Sequence, residues 1–481
     1  MKLTSKISIF LLFLGLLALP AIQQKTGLFH TKGLVGQPDP AAFPKFKLKS
    51  WFSAEFQERF NTATEENIGF RPLLVRLRNQ VDYSLFRKAN AAGVVVGKNF
   101  NLFESDYIRS FTGRDHLGDY FWKQKFDRLA RVADTLARKG TRVAIVLEPG
   151  KGTCDREDIP ARFDPGSRGT NNYTAILREA ARAGIPLLDL NQWFLSKKPV
   201  TLFPLFPKGG IHWSVGGMVM ACDTLLAFID RTLGIPVPDL VIDGLETSDD
   251  LRDTDGDLAS ILNLACKPHH PRMAYPVYHF DSHDTLRKPR VLAISDSFYF
   301  NLMSAGIPQA AFANEAFWYY NANIYPDTWS APRDTGSVNI REEVESMDLV
   351  LIMVTERFYH RFDWDFTDVL YRIYFPGGPK EYRYDFMRNI IRDFRWFDLV
   401  QKQADYSSVP MAEKLKGHCD YLLWEADQAG RIPHDADYFR VIITKDSAWM
   451  RQISEKALAN GVTLEEQIRM DAEWMAEHPD Q

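Results

Sequence analysis

The sequence predicts an α/β protein whose core is a parallel sheet flanked by helices, and three observations lead there. Residues 143–147, 291–294 and 349–354 are short, unbroken apolar runs, the mark of strands covered on both faces. Helical patterns alternate with them over residues 117–138, 172–183 and 215–233, the last with Met218, Cys222, Leu225 and Ile229 on one face. Gly184 and Gly234 directly follow the second and third of these helices, where a glycine commonly closes a helix. Residues 187–190 read as a further strand, and 94–96 as a short one ending at Gly97.

At 481 residues the chain is longer than one typical core requires, so a large domain with appendages is expected. Residues 1–25 carry Lys2 and Lys6 ahead of an apolar stretch from 7 to 22, broken only by Ser8, Gly15 and Pro20. A charged n-region before an apolar h-region is an export signal. It reads as an uncleaved signal anchor, a cleaved signal peptide or a buried N-terminal helix. The anchor is preferred because Leu19-Pro20-Ala21 makes a poor cleavage site. No later run is apolar and long enough to span a bilayer, which puts the body of the chain on the far side of the membrane.

The appendages follow from pattern. Residues 26–90 read as a tether and an N-terminal helical segment, whose apolar face carries Phe56, Phe60, Phe70, Leu74, Leu77, Val81 and Leu85. The main domain is expected over 91–410, with 236–290, Asp-rich and weakly patterned, as an insertion or long loop. Residues 411–481 form a helical module: Asp446 or Ser447 caps one helix, and Thr463 to Glu466 is a capping box opening the last.

Composition excludes some classes. A net charge of -4 with no basic run gives nucleic acid nothing to bind to. Four widely spaced cysteines, Cys154, Cys222, Cys266 and Cys419, allow one or two disulfides in an oxidising compartment. Aromatic residues reach 13%, which suits a sugar-stacking groove and a large core alike and so decides neither.

Two stretches can carry chemistry. Ser295-Asp296-Ser297-Phe298 directly follows a buried strand and opens a helix, so Ser297 lies where α/β sheets bind ligands and where backbone N–H groups can hold an oxyanion. Helix capping is the plainer role for the same residues. Gly209-Gly210-Ile211-His212-Trp213 precedes the strong helix at 215 and offers an imidazole on a loop. A third cluster, Cys266, His269, His270, His279 and His283, has spacings that zinc sites use. It lies in the weakly patterned segment without a second cysteine pair. We read these as surface-loop histidines and expect no metal and no cofactor.

Together the two stretches resemble the alginate O-acetyltransferase family, the AlgX/AlgJ-like periplasmic proteins with a rearranged SGNH hydrolase-like fold. In that family an Asp-x-His-Trp stretch precedes the serine motif by somewhat under a hundred residues. Here Gly210-Ile211-His212-Trp213 precedes Ser295-Asp296-Ser297-Phe298 in the same order. Val95-Val96-Gly97-Lys98, Pro149-Gly150-Lys151 and Thr355-Glu356-Arg357 fit the likeness, which covers about residues 50–400. The resemblance implies Ser297 as nucleophile and His212 as its base. It implies a polysaccharide acceptor, flanked by Trp213 and Tyr299, and an acetyl donor supplied by a membrane-bound O-acyltransferase. It also implies a periplasmic enzyme tethered to the inner membrane. Two positions depart from the pattern: Gly210 stands at the family's Asp and Ser295 at its Gly. A Ser-His-Asp arrangement uses its carboxylate to fix the imidazole tautomer, so another must replace it. Asp189, Glu148 and Glu356, all at or beyond predicted strand ends, are the candidates, with a Ser-His dyad or an inactive site as the other outcomes. The rival functions are a polysaccharide acetylesterase and a non-catalytic polysaccharide-binding or assembly protein.

Overall fold

The structure is a computed structural model that describes residues 3–37, 39–163, 170–281, 286–378 and 380–478. The chain divides into two compact units. The first holds the residues up to Ser105 together with Phe206–Ser214 and Ser248–Met273. The second holds Asp106–Leu205, Val215–Thr247 and the chain from Ala274 onward.

The first unit begins with α1 (Leu3–Thr26), whose stretch Lys6–Thr26 is long and apolar enough to cross a membrane by length and composition. The predicted helical segment is three helices: α2 (Leu48–Phe52), α3 (Glu55–Asn67) and α4 (Arg71–Phe86). Their breaks fall where the chain turns left-handed, at Ala54 and Phe70. The strands β1 (Val94–Val96) and β2 (Leu102–Glu104) pair antiparallel. A small core of Tyr83, Val96, Leu102, Leu258 and Leu262 joins α4, both strands and the short helix Asp257–Ile261.

The second unit holds the main sheet. Its strands are β3 (Arg142–Glu148), β4 (Leu187–Asp189), β7 (Val291–Ser295), β8 (Ala316–Tyr319), β9 (Asn323–Tyr325) and β10 (Leu349–Thr355), in the spatial order β4-β3-β10-β7-β8-β9. The remaining pair, β5 (Asp239–Ser248) and β6 (Met273–Asp281), forms a separate two-stranded sheet within the segment expected as an insertion or loop. All seven residues of β10 are buried, as its unbroken apolar run requires at the centre of a covered sheet. The expected parallel sheet is in fact mixed, because β9 turns back antiparallel on β8 and closes that edge. An edge strand can return through a short turn, whereas a parallel neighbour needs a long crossover.

The three predicted helices form as Asp119–Ala137, Asn172–Ala183 and Val215–Leu233. Gly184 and Gly234 take the left-handed conformation (φ 66° and 67°) that a side chain would strain. Helices Asp119–Ala137 and Met411–Gln428 both contribute to the main core, the latter through Met411, Leu415 and Cys419. The last three helices, Ala436–Lys445, Ser447–Asn460 and Leu464–Glu477, share a smaller cluster of Ile443, Ile453 and Ala472. Asp446, not Ser447, provides the cap, accepting from Ala448 and Trp449 N–H. All four cysteines are free thiols, so the disulfides that their compartment would permit do not form; three are buried and Cys266 is exposed.

Candidate active site

Parallel pairing sets the register of the site in the second unit. Thr355 of β10 lies beside Glu148 of β3, and Ile352 beside Ile294 of β7, so three strands end along one edge. Ligands of open α/β sheets bind outside that carboxyl edge. Ser297 follows β7 there and is half-buried. It begins the helix Phe298–Ser304 without capping it by its side chain. Its Oγ accepts a hydrogen bond from Arg357 Nη2 at 2.9 Å. A guanidinium donates only, so the serine keeps its own proton to give to a base, and the positive charge favours an alkoxide on that oxygen.

The backbone N–H groups expected to hold an oxyanion are partly committed. Phe298 N–H donates to Asp296 Oδ1 (2.9 Å) and Tyr299 N–H to Asp296 O (3.3 Å). Asp296 is fully buried, and its other carboxyl oxygen accepts from Thr355 Oγ1 at 2.6 Å, tying the serine turn to β10. Arg357 is therefore the charged donor at the serine. Its sequence signal was present in Thr355-Glu356-Arg357, but spacing alone did not assign it a role.

His212 belongs to the first unit, and its partner is a residue that the sequence reading missed. His212 Nδ1 lies 2.7 Å from Asp257 Oδ2. Asp257 Oδ1 accepts from Ile211 N–H (2.8 Å) and from Leu258 N–H (2.6 Å). A carboxylate accepts only, so Nδ1 carries the proton in this pair. Gly210, which stands where the resembled family has Asp, has no room for a side chain. A Cβ there would lie 2.5 Å from Pro207 Cγ and 2.9 Å from Thr254 O. The chain packs its own backbone into that space, and the carboxylate comes from 45 residues further on.

The three carboxylates weighed for His212 have the following surroundings. Asp189 caps the helix Leu190–Lys197 through Gln192 N–H (3.1 Å) and accepts from Tyr173 Oη at 2.6 Å. Glu356 is buried and accepts from Thr153 N–H and Thr153 Oγ1. Burial pushes its carboxyl up to about 7, against the lowering effect of those bonds. Gly150 and Gly152 leave the space it fills, since a Cβ at Gly150 would lie 2.0 Å from Glu356 Oε2. Glu148 is fully buried, and neither carboxyl oxygen has a hydrogen-bond partner among the described residues. Burial and then the charge of Asp296 hold it well above the ordinary carboxylate range.

Trp213 and Tyr299, placed at the sugar by the resemblance, are core side chains at 2% and 1% exposure. Tyr299 packs its ring on Phe317, with centroids 4.7 Å apart. Of the histidine and cysteine cluster, Cys266, His269 and His270 border a cavity in the first unit, while His279 pairs with Asp243 in the second. His283 lies outside the described residues. Among the described residues no cluster of three metal-ligating side chains is found.

The second unit thus carries Ser297 at the carboxyl end of a strand in an α/β sheet flanked by helices. Residues 94–289, less than half of the chain, match the family described as SGNH hydrolase-like domain, acetyltransferase AlgX. The AlgX/AlgJ-like resemblance drawn from the residues agrees with this match. Among solved structures, the chain is similar to the O-acetyltransferase domain of Pseudomonas putida AlgJ at 16% identity and a TM-score of 0.39, covering 58% of this chain and 99% of that one. It is similar to Pseudomonas aeruginosa AlgX at 14% identity and a TM-score of 0.38, covering 58% and 68%. It is also similar to Bacillus cereus PatB1 with a sulfonyl adduct, at 10% identity and a TM-score of 0.36, covering 58% and 98%. Comparison with curated protein sequences returns no match.

Proposed function

We propose that this chain is a serine-dependent O-acetyltransferase of an extracellular or cell-envelope polysaccharide, with Ser297 as nucleophile, His212 as base and Asp257 as the carboxylate that orients the base. The single observation that carries the reading is the His212–Asp257 pair, because it supplies the group whose absence the sequence left open. The match of residues 94–289 to an acetyltransferase family supports it.

In this mechanism His212 Nε2 takes the Ser297 proton as Oγ attacks the carbonyl carbon of an acetyl donor. The donor's leaving group takes that proton back and departs, leaving acetyl on Oγ. A sugar hydroxyl then gives its proton to His212 and attacks the acetyl carbon, and the proton returns to Ser297 as the ester bond breaks. Asp257 stabilises the imidazolium formed twice in each cycle, and Arg357 favours the serine alkoxide. Neither polymer nor donor is fixed by these residues. Helix α1 supports delivery at a membrane surface, with the body on the periplasmic side and a membrane-bound O-acyltransferase as the source of acetyl groups.

The test is to incubate the full-length protein with an activated acetyl ester, with and without an oligosaccharide, and to weigh protein and sugar. The reading expects one acetyl group on the Ser297 peptide, passed to the sugar when it is present, and none on Ser297→Ala. Acetate release with unmodified sugar would make the protein an esterase. Undiminished acetylation by Ser297→Ala would overturn the serine mechanism altogether.

A further inference from the structure

The first unit leaves far more apolar surface in water than its small core accounts for. On α4, Leu74, Leu77 and Val81 are each 49% exposed and Leu85 is 72% exposed, although their spacing is that of a packed helix face. Beside this in sequence, residues 43–52 alternate aromatic and basic side chains. Phe46, Leu48 and Phe52 are 60%, 68% and 81% exposed, and Lys45, Lys47 and Lys49 stand between them. No acidic residue occurs between Asp39 and Glu55. Ring contacts of Phe46 with Trp51 (5.7 Å) and Phe56 (5.4 Å) hold this segment in shape, so its exposure is built and not a fraying end.

The place of this surface relative to α1 is fixed by a close approach. A Cβ at Gly69 would lie 2.1 Å from Pro20 O and 2.7 Å from Gln24 N, so the last turns of α1 press on bare backbone at the corner between α3 and α4. Gln23 bonds Phe29 through both its amide oxygen and nitrogen, and the Phe29 ring lies against Phe70 of that corner at 5.8 Å. Helix α4, which carries Leu74, Leu77, Val81 and Leu85, therefore starts where α1 would leave the hydrocarbon.

We infer that residues 43–52 and the exposed face of α4 form a docking surface for the anionic lipid bilayer that α1 enters. Aromatic and aliphatic side chains seat at the headgroup boundary while lysines meet acidic headgroups and lipid phosphates. The inference rests on the reading of α1 as a retained anchor, and it goes further: the first unit is held against the lipid and does not swing on a tether.

Nitroxide labels on full-length protein in bilayers test it, at Phe52→Cys or Leu77→Cys on a Cys266→Ser background, since the other three cysteines are buried. Leu202→Cys, fully exposed in the second unit, is the reference site. In bilayers containing phosphatidylglycerol, both labels are expected to favour collision with oxygen over an aqueous nickel chelate, several-fold more than the reference does. Lys45→Glu, Lys47→Glu and Lys49→Glu together are expected to abolish that preference. Labels that behave like the reference site overturn the inference and leave the surface to a protein partner. A preference unchanged in phosphatidylcholine alone, and unchanged by the lysine variant, overturns recognition of anionic lipid. The intact mass of the mature protein decides separately whether α1 is retained.

Discussion

The two units treat water in opposite ways. The second takes charges out of it: Lys125 donates to Asp363 at 2.8 Å and to Asp368 at 2.7 Å, and Arg128 donates to Asp368 at 2.8 Å. Tyr384 Oη adds a bond to Asp368 at 3.0 Å, and Asp368 is fully buried. The first unit leaves leucines and phenylalanines in water beside a small cluster of Tyr83, Val96, Leu102, Leu258 and Leu262. A buried ion needs every partner in place, because removing one strands the rest in a poor solvent. An exposed apolar face needs another phase to cover it. The second unit thus closes its buried charges with its own partners, while the first leaves an apolar helix face uncovered.

The largest break expected in this comparison falls on the first unit and on rate. Asp257→Asn should lower kcat by roughly 10³–10⁴-fold with KM little changed, since the imidazole loses its tautomer and its counter-charge. Steady-state kinetics check it, and thermal melting should move little because Asp257 is part-exposed. The next falls on the second unit and on stability. Asp368→Ala should cost roughly 3–5 kcal/mol by removing the buried carboxylate that Lys125 and Arg128 share, read as a lowered melting temperature. Lys125 and Arg128 hold the Asp368 carboxyl down to about 2, below its ordinary value. That contribution is complete above about pH 4 and is lost as the pH falls toward 2. An acid titration of wild type against this variant should therefore converge below that window.

A smaller effect follows from crowding. Gly210→Ala should cost about 1–3 kcal/mol, because its Cβ meets Pro207 and Thr254 at less than contact distance. It should also lower activity by moving the loop that carries His212. The smallest is a gain. Glu148 is held neutral by burial while the unfolded chain ionises, so its contribution is most favourable at low pH and is lost as the pH rises. Glu148→Gln keeps the shape without that cost. It should raise the melting temperature at pH 8 more than at pH 5, and an equal shift at both would show the carboxyl to be charged in the fold.

What the sequence made legible is what depends on neighbours in the chain. Unbroken apolar runs became β3, β7 and β10, and the capping glycines and Thr463 fall at observed helix ends. What it hid depends on contacts across the chain. Asp257 is one of several aspartates in a segment without periodicity, and only folding brings it to His212. The candidates at strand ends were reasonable by position, yet local hydrogen bonds engage Asp189 and Glu356, and Glu148 is fully buried. Leu74, Leu77, Val81 and Leu85 show that periodicity identifies a face and does not say what covers it. Trp213 and Tyr299 show the converse: each stands beside a candidate residue in sequence, yet its side chain is packed in the core.

The carboxylate on His212 has one more implication. Asp257 grips the imidazole with one oxygen and the Ile211 amide with the other, so a single side chain sets both the ring and the main chain beneath it. That side chain arrives on an excursion, residues 248–273, to which the main sheet contributes no strand and from which it takes none. A substitution at Asp257 should therefore disturb the imidazole and the loop main chain together, while the strands of the main sheet lie outside residues 248–273.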